Sequence, residues 1–249
     1  MKRANPPLRR RALLAATASA LALSACDSVL PGRGPPPRLY RLTPKSTFPD
    51  LPKVDWQLVV EPPSAQASID TPRIGLMLSP LRFDYYAQAN WVDRAPLMVQ
   101  SLIIESFDNS AAIIAIGRES VGLRPDYVLK SELREFQANV EDDGHVVNVA
   151  LHAKLVQMPE RLIVASAEFE HTVPTPPDTL HPVIDAFDKA LGDVLKRLVI
   201  WTLAEGEKAE RKRPQAFEQP AGGNRPIQRP RAPADPDPPQ IPRLRRPQS

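Results

Sequence analysis

The chain of 249 residues is short of the residue types from which active sites and covalent frameworks are built. Its single cysteine, Cys26, excludes an internal disulfide and any multi-cysteine metal site. The four histidines, His145, His152, His171 and His181, are scattered without metal-ligand spacing. His152 and His171 are the pair that adjacent strands could bring together, and both are expected as surface or edge residues. Only 10 residues are glycine, and neither a phosphate-cradling G-x-x-x-x-G-K-S/T run nor a G-x-S-x-G elbow occurs. The expectation is a protein with no catalytic residues, cofactor or metal.

Charge is scarce where a nucleic-acid footprint would need it. The formal charge is +3, but Met1 to Ala25 holds five Lys/Arg and no acid, and Glu205 to Ser249 holds ten against six. Cys26 to Ala204 holds 17 against 23, so the segment able to build a core is acidic. Nucleic-acid binding requires basic residues gathered on a folded face, and no such partner is expected.

What the chain does have begins at its amino terminus. Lys2, Arg3, Arg9, Arg10 and Arg11 precede an uncharged run from Ala12 to Leu23, which is too short to span a bilayer as a stable helix. It ends in Leu23-Ser24-Ala25-Cys26, a lipobox: an aliphatic residue, two small residues, then a cysteine that takes a diacylglyceryl group. Residues 1–25 read as a lipoprotein signal peptide, cleaved before a Cys26 that carries acyl chains such as palmitate. Two or three chains make anchoring effectively permanent. Asp27 leans the sorting toward the inner membrane, with inner against outer left open. Residues 26–37 have turn and polyproline chemistry and read as a flexible tether.

Residues 38–203 read as one domain. Short strands are expected at Leu39 to Leu42, Trp56 to Glu61, Arg73 to Ser79 and Leu81 to Tyr86, with one helical turn in Pro62 to Asp70. A buried helix is expected from Asp93, as cap, through Pro96 to about Phe107. A short strand follows in Ala111 to Arg118. Between Tyr127 and Val140 the apolar residues switch phase, so a bulge near Arg134 is expected. Val147 to Leu155 and Ile163 to Phe169 alternate cleanly, completing an antiparallel meander. Ile184, Phe187, Leu191, Val194, Leu198 and Trp201 form one stripe of a helix from about Thr179 to Leu203. Val183, Leu195 and Val199 widen that stripe and are read as core. The fold class is α+β: an antiparallel sheet with two long helices packed on it, in a two-layer single domain. Residues 204–249, which hold ten of the 30 prolines, read as a disordered Pro/Arg-rich tail.

Tyr85, Tyr86 and Trp91 cluster beside Asp93 and Arg94, and these five residues are the candidates for partner contact. The competing account packs the rings under the start of the helix. Asp70 and Arg73 are read as a loop ion pair or cap.

The segments VVEPPSA, DTPRIGLM, YYAQANWVDRAP, ESFDNS with IGRE, and DYVLKSELREFQA occur in that order behind the lipobox. Over roughly Leu39 to Leu203 the chain resembles the ABC-type transport auxiliary lipoprotein family, which includes the lipoprotein of the paraquat-inducible system and of MCE-type lipid transporters. The resemblance does not reach the tail. It implies a non-enzymatic accessory subunit facing the periplasm, partnered by an ABC permease, an ATPase on another chain and an MCE-type substrate-binding protein. It implies a role in moving lipids or other hydrophobic molecules across the cell envelope. Homo-oligomers and the membrane itself, reached through the lipid anchor, complete the expected partners. The alternative from a different class is an envelope lipoprotein that binds or activates a cell-wall synthase. Direct carriage of a lipid would require an apolar pocket.

Overall fold

A computed structural model describes residues 36–122, 124–176 and 179–213. The expected signal peptide, Cys26, Asp27 and most of the expected tether lie outside the described residues. So does residues 214–249 of the tail.

The elements run β1 (Arg38–Tyr40), β2 (Val54–Val60), β3 (Ser64–Ala65), β4 (Arg73–Ser79), β5 (Arg82–Trp91), α1 (Ala95–Ser110), β6 (Ile113–Gly117), a 3-10 turn (Glu119–Val121), β7 (Tyr127–Glu141), β8 (Gly144–Gln157), β9 (Leu162–Thr175) and α2 (Leu180–Lys212). All nine strands join one sheet. β7 is its spine. One edge of β7 pairs antiparallel with β8, which pairs antiparallel with β9. The other edge takes β2, β3 and β4 in turn along its length, all parallel. β6 extends the sheet beyond β2, and β5 then β1 extend it beyond β4.

The α+β two-layer architecture with two long helices is as the sequence predicts. The sheet, however, is antiparallel only in the β7–β9 meander and the β4–β5 hairpin; β1–β5, β2–β6 and the pairings of β2, β3 and β4 with β7 are parallel. Parallel neighbours are distant in sequence and need crossovers. A period-2 pattern shows which side chains are buried and carries no information about which strand lies alongside.

The expected bulge is present. Leu133 pairs with Leu151 and Glu135 with Ala150, leaving Arg134 as the extra residue. Leu133, Phe136 and Ala138 thereby all reach the core. A second irregularity, between Leu155 and Val156, sets Leu155 opposite Ala165 and Val156 opposite Ile163. The extra residue is Val164, which packs against the core, while Ile163 is turned out and is 53% exposed. The expectation that Ile163 shares a face with Ala165 and Phe169 is therefore corrected.

The cap of α1 falls one residue later than the expected Asp93. Its N-cap is Arg94, with no side-chain cap, and the first helical N–H, that of Ala95, donates to the Thr71 carbonyl at 3.2 Å. That tertiary bond and Pro96, which has no N–H to satisfy, remove the need for the capping carboxylate. Asp93 instead accepts from the Arg94 backbone N–H at 2.7 Å. Pro62 to Asp70 contains β3 and then one turn, in which the Ile69 and Asp70 N–H groups both donate to the Gln66 carbonyl.

α2 runs nine residues past the expected end at Leu203, so residues 204–212 belong to the folded unit and not to the tail. Gly206 lies against Trp56, where an added Cβ would stand 2.5 Å from the ring. The Tyr127 hydroxyl donates to Glu210 Oε1 at 2.9 Å. The extension is short of large apolar residues because it docks through a glycine, a small Ala209 and a carboxylate. Val183, Leu195 and Val199 are fully buried, as expected of core.

Candidate functional site

The five candidate contact residues do not form one patch. Successive residues of β5 point to opposite faces of the sheet, so Tyr85 and Tyr86 part company. Tyr85 lies under the Arg73 guanidinium, 3.8 Å from the ring centroid, and its hydroxyl donates to the Ser68 carbonyl at 3.2 Å. Tyr86 faces the helices, with its hydroxyl 3.0 Å from His145 Nδ1. Burial disfavours the phenolate and pushes the Tyr86 pKa up from 10.0 to about 12. Trp91 is 1% exposed and packs against Phe136 and Phe187 at centroid distances of 5.6 and 5.1 Å, so it is core and not a contact surface. Asp93 and Arg94 are exposed. Arg94 makes a two-pronged ion pair with Asp70, the Nε–Oδ1 distance being 2.9 Å. Asp70 therefore pairs with Arg94 and not with Arg73.

The histidines are equally dispersed. His152 lies opposite Glu168 and His171 opposite Val149, an odd separation along both strands that puts them on opposite faces. His152 contacts Ser166 Oγ at 2.9 Å, and His171 Nδ1 is 3.5 Å from Asp193 on α2. Among the described residues no group of three or more His, Cys, Asp or Glu side chains could hold a metal.

The helix-free face of the sheet carries a different arrangement. Much of it is charged and paired across strands. Lys130 Nζ donates to both Glu61 oxygens at 2.6 and 2.7 Å. Arg134 is held by Glu168 at 2.8 Å and Glu132 at 3.3 Å, and those two carboxylates raise its pKa above the usual arginine value. One row departs from this pattern. Val59 on β2 pairs with Val128 on β7, Val128 with Val156 on β8, and Val156 with Ile163 on β9. These four form an apolar ladder across four strands, about 14 Å long at roughly 4.8 Å per strand spacing.

The first three, with Met158 packed against them, make a small apolar cluster separate from the main core. They form the floor of a groove of about 470 Å³ whose rim includes Glu61, Glu119, Pro125, Lys130 and Arg161. Sequence reasoning missed this row because Val128 and Val156 sit between residues that already satisfy the core phase. The only signal was their being apolar in the outward phase.

A family model described as the ABC-type transport auxiliary lipoprotein component matches residues 40–199. An auxiliary component of this kind is an adaptor without catalytic function. A crystal structure of protein XCC0632 from Xanthomonas campestris is 31% identical, covers 70% of this chain and 99% of its own, and superposes with a TM-score of 0.63. Protein bll6063 of Bradyrhizobium diazoefficiens is 27% identical over 168 residues. That match takes in 65% of this chain and 43% of the relative, so the chain spans less than half of that protein's length. With the model covering most of the chain and the folded unit that carries it now described, the chain belongs to the family of ABC-type transport auxiliary lipoprotein components.

Proposed function

We propose that the protein is a lipid-anchored accessory subunit, facing the periplasm, of an ABC-type, MCE-linked system that moves lipids or other hydrophobic molecules across the cell envelope. Cys26 holds it to the membrane and the domain works by docking to protein partners, a permease and an MCE-type substrate-binding protein, with the cytoplasmic ATPase joined to the system through the permease. The observation that carries this reading is the conjunction of family membership over residues 40–199 with Leu23-Ser24-Ala25-Cys26 directly after a basic and apolar leader. No helix among the described residues is long and apolar enough to cross a membrane, and acyl chains on Cys26 would supply the attachment. Asp27 favours retention in the inner membrane. Tyr85, Asp93 and Arg94 remain candidates for partner contact on grounds of position, whereas the burial of Trp91 and the inward aim of Tyr86 suit a structural role.

Affinity capture from detergent-solubilised membranes tests the docking. Recovery of a permease, an ATPase and an MCE protein is the expected result, and recovery of cell-wall synthases alone would replace this reading with the synthase-activator one. Mass spectrometry of the amino-terminal peptide should find diacylglyceryl on Cys26, and Cys26→Ser should release the protein from the membrane fraction. Asp27→Ser should change the membrane in which the protein is found.

A further inference from the structure

The apolar ladder is out of place on a sheet face that no helix among the described residues covers. In a two-layer domain that face is ordinarily polar, since it meets water. Here Val59, Val128 and Val156 are nearly buried at the floor of the groove, and Ile163 stands 53% exposed at its β9 end.

Size decides the kind of occupant. A groove of about 470 Å³ falls within the range of small-ligand sites, roughly 300–1,000 Å³. Four side chains in a row fall far short of the roughly 20–30 residues that each partner brings to a stable protein interface. The occupant is therefore narrow and apolar over a length of about 14 Å, the width of four strands.

Charge decides its polar end. Lys130 is neutralised by Glu61. Arg161, which lines the groove in the turn leading into β9, has no ion-pair partner among the described residues. Arg161 has φ 57, a left-handed conformation where glycine or asparagine is the ordinary choice, and it nonetheless carries a long cation. At the opposite end Glu119, just past the β6 strand that pairs with β2, has no ion-pair partner among the described residues and would repel an anion. The free cation at one end and the free carboxylate at the other thus give the groove a direction.

We propose that this groove binds a single-chain anionic amphiphile, an alkyl chain bearing a carboxylate or phosphate head. The chain lies along Val59, Val128, Val156 and Ile163, and the head meets Arg161. The proposal stands on the geometry of the sheet and does not rest on the transport reading, which partner capture tests separately.

The test uses the full-length acylated protein in amphipol and three photoactivatable tetradecyl probes, ending in a carboxylate, a phosphate or a neutral alcohol. Both anionic probes should label residues 154–163, and a preference for one identifies the source of the head. Ile163→Asp, at an exposed position, should leave the thermal midpoint unchanged and cut labelling by about tenfold or more, because a charge would enter the apolar row. Arg161→Asn suits the left-handed backbone and should cut labelling by the anionic probes about tenfold while leaving the alcohol unchanged. Labelling confined to other segments, labelling indifferent to Ile163→Asp, or an alcohol that labels as strongly as the anions would overturn the proposal.

Discussion

The two faces of the sheet solve opposite problems with the same alternating strands. The face under the helices is closed by rings: Trp91, Phe136 and Phe187 meet one another at centroid distances of 5.0 to 5.6 Å, and Trp56 meets Tyr127 at 5.0 Å. The uncovered face is held by ion pairs between half-exposed side chains and is interrupted by one apolar row. Burial stabilises in proportion to apolar area removed from water, whereas exposed ion pairs are screened and contribute little. Stability should therefore reside under the helices, and the open face should be free to vary for recognition.

Phe187→Ala is the most direct challenge to that division. It removes the ring common to the aromatic triad and should cost about 3–5 kcal/mol in urea unfolding. A loss below about 1 kcal/mol would mean that the helix-covered face is not where stability resides. Gly206→Ala probes the same layer at its far end. The added methyl would collide with Trp56, and a loss of about 1–3 kcal/mol from overpacking is expected despite the better helix propensity of alanine.

Alkaline pH sharpens the comparison through Tyr86. The folded state keeps the phenol protonated to about 12, against 10.0 for an unburied tyrosine. Its contribution is therefore complete below pH 10 and lost as pH rises toward 12. Urea midpoints measured from pH 9 to 12 should fall over that interval, and less steeply in Tyr86→Phe. On the open face, a double-mutant cycle of Glu61→Gln with Lys130→Met should return only about 0.2–1 kcal/mol of coupling, diminishing in high salt. A larger value would show that the open face also carries stability.

Several of these features were legible in the sequence for local reasons. The change of apolar phase around Arg134 required an extra residue, and the stripe from Ile184 to Trp201 required a buried helix. The bulge at Val164 was illegible because Val164 and Ile163 are equally apolar, so either could have faced inward. The continuation of α2 was illegible because Gly206 and Glu210 look like tail in sequence, and only Trp56 and Tyr127, more than 75 residues away, make them structural. Trp91 illustrates an open choice: a ring beside Asp93 and Arg94 suits either a contact surface or packing under the helix start, and the tertiary structure puts it at the centre of the core.

By itself the sequence determined the acidic domain, the basic and apolar stretch before Leu23-Ser24-Ala25-Cys26, the alternation of the meander and the stripe of the last helix. Each is set by neighbours within a few residues, through the fixed periods of strand and helix and the chemistry of a short motif. Only the tertiary structure decided that β2, β3 and β4 line up along one edge of β7 and that four residues drawn from four strands share one row. Those outcomes depend on which distant segments pair and in what register, and a period along one strand does not encode its partner.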